Sequence, residues 1–224
     1  MTESQLLSLK QKFEASGSIE DEAAWLRARA MQGELSLERL GLAGECGHPA
    51  ARMALGLEDA QLTATVWLDT VCARGVEVCV RLAVACAGVA VQRFEAGELK
   101  AAVKRSVDDL EFYLYGTPGE SQILPKAVPC PDGLRAPDDD GWEAVGSDAE
   151  RGWALWKAGD LARRIMTVEG GLDSGVHAKK AARMATLSLP ADTPRPRAAH
   201  VLRGIRETLL TYALGYAPKP RPGQ

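Results

Sequence analysis

Aromatic residues make up only 5% of this 224-residue chain, and histidine occurs three times. β-Sheets draw on aromatic and β-branched side chains, so the shortage argues against a sheet protein. Three histidines leave little material for imidazole chemistry. The five cysteines are odd in number and contain no Cys-x-x-Cys pair. They make neither a disulfide framework nor a paired zinc ligand set. Walker-type and dinucleotide-type glycine patterns are missing, and with them the usual phosphate cradles. No apolar run approaches the roughly 20 residues that cross a bilayer. The opening, MTESQLLSLKQKFEAS, lacks a basic region followed by an apolar one, so no secretory signal is expected. These absences together point to a cytoplasmic protein with reduced, buried thiols and no cofactor.

What the chain does have is alanine, leucine, arginine and glutamate, all good helix formers. The stretch Gly75 to Glu95, GVEVCVRLAVACAGVAVQRFE, stands out. Leu82 to Val91 carries no charge, and Glu77, Arg81, Arg93 and Glu95 fence it. A run of this length in a helical chain predicts a helix buried on nearly all sides. Ala83, Ala85, Ala87, Gly88 and Ala90 would let neighbouring helices come close. Cys72, Cys79 and Cys86 repeat every seven residues, which is one stripe if a single helix covers them.

Around this post the punctuation predicts further helices, about nine in all, and no strand. Thr2 with Gln5 and Ser147 with Glu150 have the spacing of capping boxes. Ser18 and Ser36 are N-cap candidates, and Glu20, Asp21 and Glu22 suit the positive end of a helix dipole. Gly17, Gly33, Gly47 and Gly56 read as stops, and Pro49 as a first-turn proline. A helix is expected from about Glu58 to Arg74, with a break or kink at Gly75. Leu99 to Tyr115 follows, with Val103, Val107, Leu110 and Leu114 inward. Helices from Ser147 to Gly170, from Asp173 or Ser174 through Leu187, and from Arg197 to Tyr216 complete the set. Between Thr117 and Gly146 five prolines interrupt the pattern, so 117–146 reads as a long irregular loop. The tail 217–224 reads as extended. The expected architecture is all-α, a single domain built as a multi-helix bundle or an array of helical hairpins.

Charge is unevenly spread. Residues 1–150 hold 14 Lys+Arg against 25 Asp+Glu, and residues 151–224 hold 13 against 5. Either the two parts neutralise each other or one presents a basic face. The basic residues are not interleaved with aromatics, so nucleic-acid binding is not indicated. For chemistry, Cys46-Gly47-His48 places a thiol near an imidazole at a helix end, which reads as a cap or surface residue. His177 and His200 fall on different helices. Asp138, Asp139 and Asp140 lack the alternation of a calcium loop. No catalytic residue and no metal ligand is assigned. Phe112, Tyr113 and Tyr115 form the densest aromatic cluster, just before the loop. With Asp138, Asp139, Asp140 and Trp142 they are the partner-binding candidates, because aromatics dominate interface energetics. Trp153 and Trp156, three apart, share a helix face.

Two stretches carry a resemblance. WLRARAMQGELSLERLGLAGECGHPAARMAL (Trp25 to Leu55) resembles the opening of uncharacterised myxobacterial helical proteins. RLAVACAGVAVQRFE, then AAVKRSVDDLEFYL and AERGWALWKAGDLARRI, is similar in layout to all-helical immunity proteins of bacterial polymorphic toxin systems. Gly97-Glu98-Leu99-Lys100 stands where those proteins carry a basic, proline-containing segment. The resemblance implies a cytoplasmic, non-enzymatic protein that neutralises a toxin by binding it, and it transfers no catalytic residue. Two other readings stay open. One is a scaffold or adaptor that works through the loop 117–146. The other is a small-molecule sensor or enzyme with a pocket among Trp153, Trp156 and Phe112 to Tyr115.

Overall fold

The computed structural model describes residues 2–57, 63–115, 124–138, 141–167 and 173–216. It is all-helical, with ten helices and no strand among these residues. They are α1 (Glu3–Ser16), α2 (Ile19–Met31), α3 (Leu37–Glu45), α4 (Pro49–Leu55), α5 (Ala64–Cys72), α6 (Val76–Arg93), α7 (Glu98–Tyr115), α8 (Asp148–Ile165), α9 (Ser174–Leu187) and α10 (Arg197–Leu214). The expected beginning of α5 at Glu58, the loop residues 116–123 and 139–140, and the tail 217–224 lie outside the described residues.

Local chemistry sets the helix ends. Both capping boxes form: Thr2 with Gln5, and Ser147 with Glu150. Ser18 and Ser36 accept from the third backbone amide of α2 and α3. Gly75 sits at φ 109°, a conformation side chains other than hydrogen rarely allow, so α5 and α6 are two helices. Hence Cys72, Cys79 and Cys86 do not lie on one helix stripe. Cys72 ends α5, and the other two belong to α6.

The chain divides into two compact units, Met1–Thr63 with Arg206–Gln224, and Ala64–Ile205. In the first, α2 packs against both α1 and α4, and α3 packs on α4. Phe13 stacks on Trp25 at 5.6 Å between ring centroids, and Trp25 meets Tyr216 at 5.3 Å. The Arg29 guanidinium lies 5.0 Å from the Trp25 ring and donates to the Leu214 carbonyl at 2.9 Å. Arg39 likewise donates to the Tyr212 carbonyl. Two cations thus satisfy carbonyls at the negative end of α10.

In the second unit α6 is the central post. From Leu82 to Val91 every residue except Gly88 is buried. It packs on α7, α8, α9 and α5. Small residues on the surrounding helices permit this closeness. A Cβ on Gly204 would stand 2.8 Å from a Val89 methyl of α6, and between the neighbouring helices α8 and α7 one on Gly159 would stand 3.1 Å from Val103. The described part of the loop is pinned to this unit. Trp156 Nε1 donates to Val128 O at 2.9 Å, and Arg135 N donates to Ala149 O at 3.4 Å. The Glu143 carboxylate accepts from the amides of Arg197 and Ala198 at 2.8 and 3.3 Å, capping α10. The Arg197 side chain is fully buried and spans to the carbonyls of Pro190 (3.0 Å) and Leu189 (2.8 Å).

The uneven charge of the sequence dissolves at this level. The first unit's residues count 9 Lys+Arg and 11 Asp+Glu, and the second unit's 18 and 19. Each comes close to neutrality within itself.

Candidate functional site

α7 buries Val103, Val107 and Leu110, which leaves the opposite face in water. On that face Phe112 is 57% exposed, while Tyr113 is half-buried. The side chain of Tyr115 lies outside the described residues. Asp108, Asp109 and Glu111 surround Phe112 in sequence, and no basic residue occupies the last turn. Asp108 pairs with Lys104 at 2.5 Å. Partial burial, then the charge of Asp108, pushes the Glu111 carboxyl above its usual range. Acidic groups near a helix C-terminus face the negative end of the dipole, which adds to the local negative potential. Of the other expected partner residues, Asp138 is exposed and pairs with Arg135, and Trp142 is half-buried. Asp139 and Asp140 lie outside the described residues. Neither a hydrogen bond nor a ring contact joins Phe112 or Tyr113 to Trp142.

Trp153 and Trp156 meet at 6.2 Å between centroids, and Lys157 lies 5.3 Å from the Trp156 ring. Trp156 serves as a loop anchor through its bond to Val128. The space beside it, lined by Val103, Ser106, Asp160 and Arg163, amounts to about 10 Å³, no more than one water. A second depression, of about 180 Å³, lies between Pro137, Val145, Glu150 and Leu187. Drug-sized ligands occupy roughly 300 Å³ or more.

A polar cluster is buried in the first unit. Glu22 is 2% exposed and His48 5%. Tyr216 donates its hydroxyl to Glu22 Oε1 at 2.6 Å, and His48 Nε2 faces the same oxygen at 3.5 Å. His48 caps α4, its Nδ1 accepting from the Ala51 amide at 3.3 Å. It is therefore a cap, as one of the two sequence readings had it, and it is not on the surface. With Nδ1 accepting, the neutral ring carries its proton on Nε2, toward the carboxylate. Both nitrogens are engaged, and the group acts as a structural lock. Glu22 escaped the sequence reading as a site residue because it suited the dipole of α2. Its spacing to Trp25 and Leu26, three and four residues on, was the available sign that it faces inward.

The third cluster lies in the second unit, where α5, α6 and α9 meet. Cys79 is buried and Cys72 partly exposed. Cys79 Sγ donates to the Cys72 carbonyl oxygen at 3.4 Å, which sets the two cysteines against each other. Ser174, at the start of α9, also favours the Cys79 thiolate. Lys179 is nearby, held to Asp69 at 2.8 Å. The bond from Cys72, opposed by burial and aided by Ser174 and Lys179, lowers the Cys79 thiol to about 7. The Cys72 thiol moves up, chiefly because it donates to Cys79. Burial likewise pushes Cys86 up. His177 Nδ1 lies 2.9 Å from the Asp173 carbonyl, within its own helix turn. Among the described residues no three His, Cys, Asp or Glu side chains are placed to share a metal ion.

The chain matches no protein-family model, no curated protein and no solved structure. What its coordinates define is a class, an all-helical protein in which no described helix is long and apolar enough to cross a membrane.

Proposed function

We propose that the protein is a non-enzymatic binding module that docks a basic protein partner on the C-terminal end of α7, with Phe112 as the anchor. One observation carries the reading: a phenylalanine more than half exposed and set among Asp108, Asp109 and Glu111. An exposed aromatic gains most from burial in a partner's pocket, and acidic neighbours steer a basic partner toward it. The negative helix end adds to the attraction. The layout resemblance to immunity proteins gives the partner its specific form, a toxin domain neutralised by occlusion. The Glu22–His48 pair supports the non-enzymatic side of this reading, since both imidazole nitrogens are already engaged.

The experiment is a pull-down from native lysate with wild type, Phe112→Ala and Asp109→Lys, read by mass spectrometry. The expected result is one stoichiometric partner on wild type. It is lost at raised salt and lost from both variants, whose melting temperatures stay within about 2 °C of wild type. A partner retained equally by Phe112→Ala, or no partner on wild type, overturns the reading.

A further inference from the structure

We propose that Cys72 and Cys79 are an oxidation site that forms a reversible intramolecular disulfide when a hydroperoxide reaches it. The geometry brings the two residues together across the α5–α6 turn. Cys72 is the last residue of α5, Cys79 lies in the first turn of α6, and the Cys79 sulfur stands 3.4 Å from the Cys72 carbonyl oxygen. A disulfide needs its two β-carbons facing each other over a short span, and a Cys79 sulfur already against the Cys72 backbone leaves a side-chain rotation of Cys72 to bring the sulfurs together. The surroundings favour a thiolate. Cys79 sits near the N-terminal ends of two helices, its own α6 and, through Ser174, α9. Lys179, held by its ion pair with Asp69, adds a smaller electrostatic contribution of the same sign. Helix N-termini and lysine neighbours are the features that activate cysteines, and the lowered Cys79 thiol agrees with them. Access comes through Cys72, which is partly exposed, so an oxidant as small as hydrogen peroxide needs only local breathing to enter.

The chemistry balances in two steps. The Cys79 thiolate attacks one peroxide oxygen, the O–O bond breaks, and a sulfenic acid forms. The departing hydroxide takes a proton and leaves as water. The Cys72 sulfur then attacks the Cys79 sulfur and the S–S bond forms. Hydroxide leaves that sulfur and takes the Cys72 proton, giving a second water. Two thiols have lost two electrons and two protons, and one peroxide has become two waters. Cys86 takes no part. It lies seven residues further along α6, fully buried, with its thiol pushed up by the apolar surroundings. Cys130, which is exposed, lies outside the pair.

Trypsin makes the test decisive, because Arg74 and Arg81 separate Cys72, Cys79 and Cys86 into three peptides. The folded Cys130→Ser chain is treated with stoichiometric hydrogen peroxide, blocked with iodoacetamide and digested without reductant. The expected product is a crosslink between the Cys72 and Cys79 peptides, with Cys86 alkylated only after unfolding. The crosslink disappears on dithiothreitol treatment and is absent in Cys72→Ser and in Cys79→Ser. In Cys72→Ser, dimedone should trap the sulfenic acid on Cys79. Lys179→Met should slow crosslinking several-fold with the fold intact by circular dichroism. A crosslink that includes Cys86, or two free thiols after saturating peroxide, overturns the proposal. So does oxidation of Cys79 to sulfinic acid with Cys72 still free.

Discussion

Gly204→Ala puts helix propensity against packing, and the structure says which wins. Alanine in a helix interior is favoured over glycine by about 1 kcal/mol. Here, however, the new Cβ would stand 2.8 Å from a Val89 methyl. Carbon atoms prefer about 3.5–4.0 Å, so one of them must move by roughly 1 Å. Val89 cannot rotate away cheaply, because a β-branched side chain in a helix has one strongly preferred rotamer. Overpacking of this kind costs about 1–3 kcal/mol. The net expectation for Gly204→Ala is a loss of about 1 kcal/mol. Val89→Ala alone removes two methyl groups from a buried site and should cost about 2 kcal/mol, transfer and cavity together. In the double variant the alanine methyl enters the space that Val89 vacates. The clash disappears and the propensity gain remains, so the pair should cost about 1 kcal/mol rather than about 3. Urea unfolding followed by tryptophan fluorescence reads this directly, since Trp67, Trp142, Trp153 and Trp156 all belong to the same unit. If the double variant loses the sum of the two singles to within about 0.5 kcal/mol, the two residues do not meet as described.

Two further expectations concern buried polar groups. Tyr216→Phe deletes the hydroxyl that donates to the buried Glu22 carboxylate and should lower stability by about 1.5–3 kcal/mol in chemical denaturation; an unchanged midpoint would show that the carboxylate does not depend on it. Burial would raise the Asp160 carboxyl, but Lys157 and Arg164, each at 2.8 Å, outweigh it and hold the group below its usual 3.8. A depressed carboxylate contributes stability above the unfolded value and loses it as the pH falls through the folded one. Asp160→Asn should therefore cost about 1–2 kcal/mol at pH 6, with the gap to wild type closing as the pH drops below about 4. A gap that stays constant down to pH 2 contradicts the ion pairs.

Most of the helical architecture could be read from the chain because local chemistry sets it. Thr2, Ser18, Ser36 and Ser147 act on amides three residues away, and an apolar run such as Leu82 to Val91 has no other place than a core. Gly75 was legible as a break or kink, and its positive φ decides for the break. What could not be read depends on partners far along the chain. Glu22 meets Tyr216, 194 residues away, and Arg29 meets Leu214, 185 away. No local pattern encodes such pairings, so an inward carboxylate looked like an ordinary first-turn acid. Arg197 shows the same limit. Its burial follows from the carbonyls of Leu189 and Pro190, freed where α9 ends, and not from its own neighbours in sequence. The cysteine pair was visible as a spacing of seven, but only the turn at Gly75 sets the Cys79 sulfur against the Cys72 carbonyl.

The Glu22–Tyr216 bond also sets an order of events during synthesis. A ribosome adding roughly 5–20 residues per second delivers Tyr216 about 10–40 s after Glu22. Throughout that interval the N-terminal helices lack the hydroxyl, the aromatic ring and the two helix-end carbonyls that Glu22, Trp25, Arg29 and Arg39 will hold. The segment Ala64–Ile205 is complete before any of these arrive. The chain is thus built so that the part made first is finished last, and a nascent chain stalled short of Leu214 exposes an incomplete N-terminal unit to chaperones and proteases.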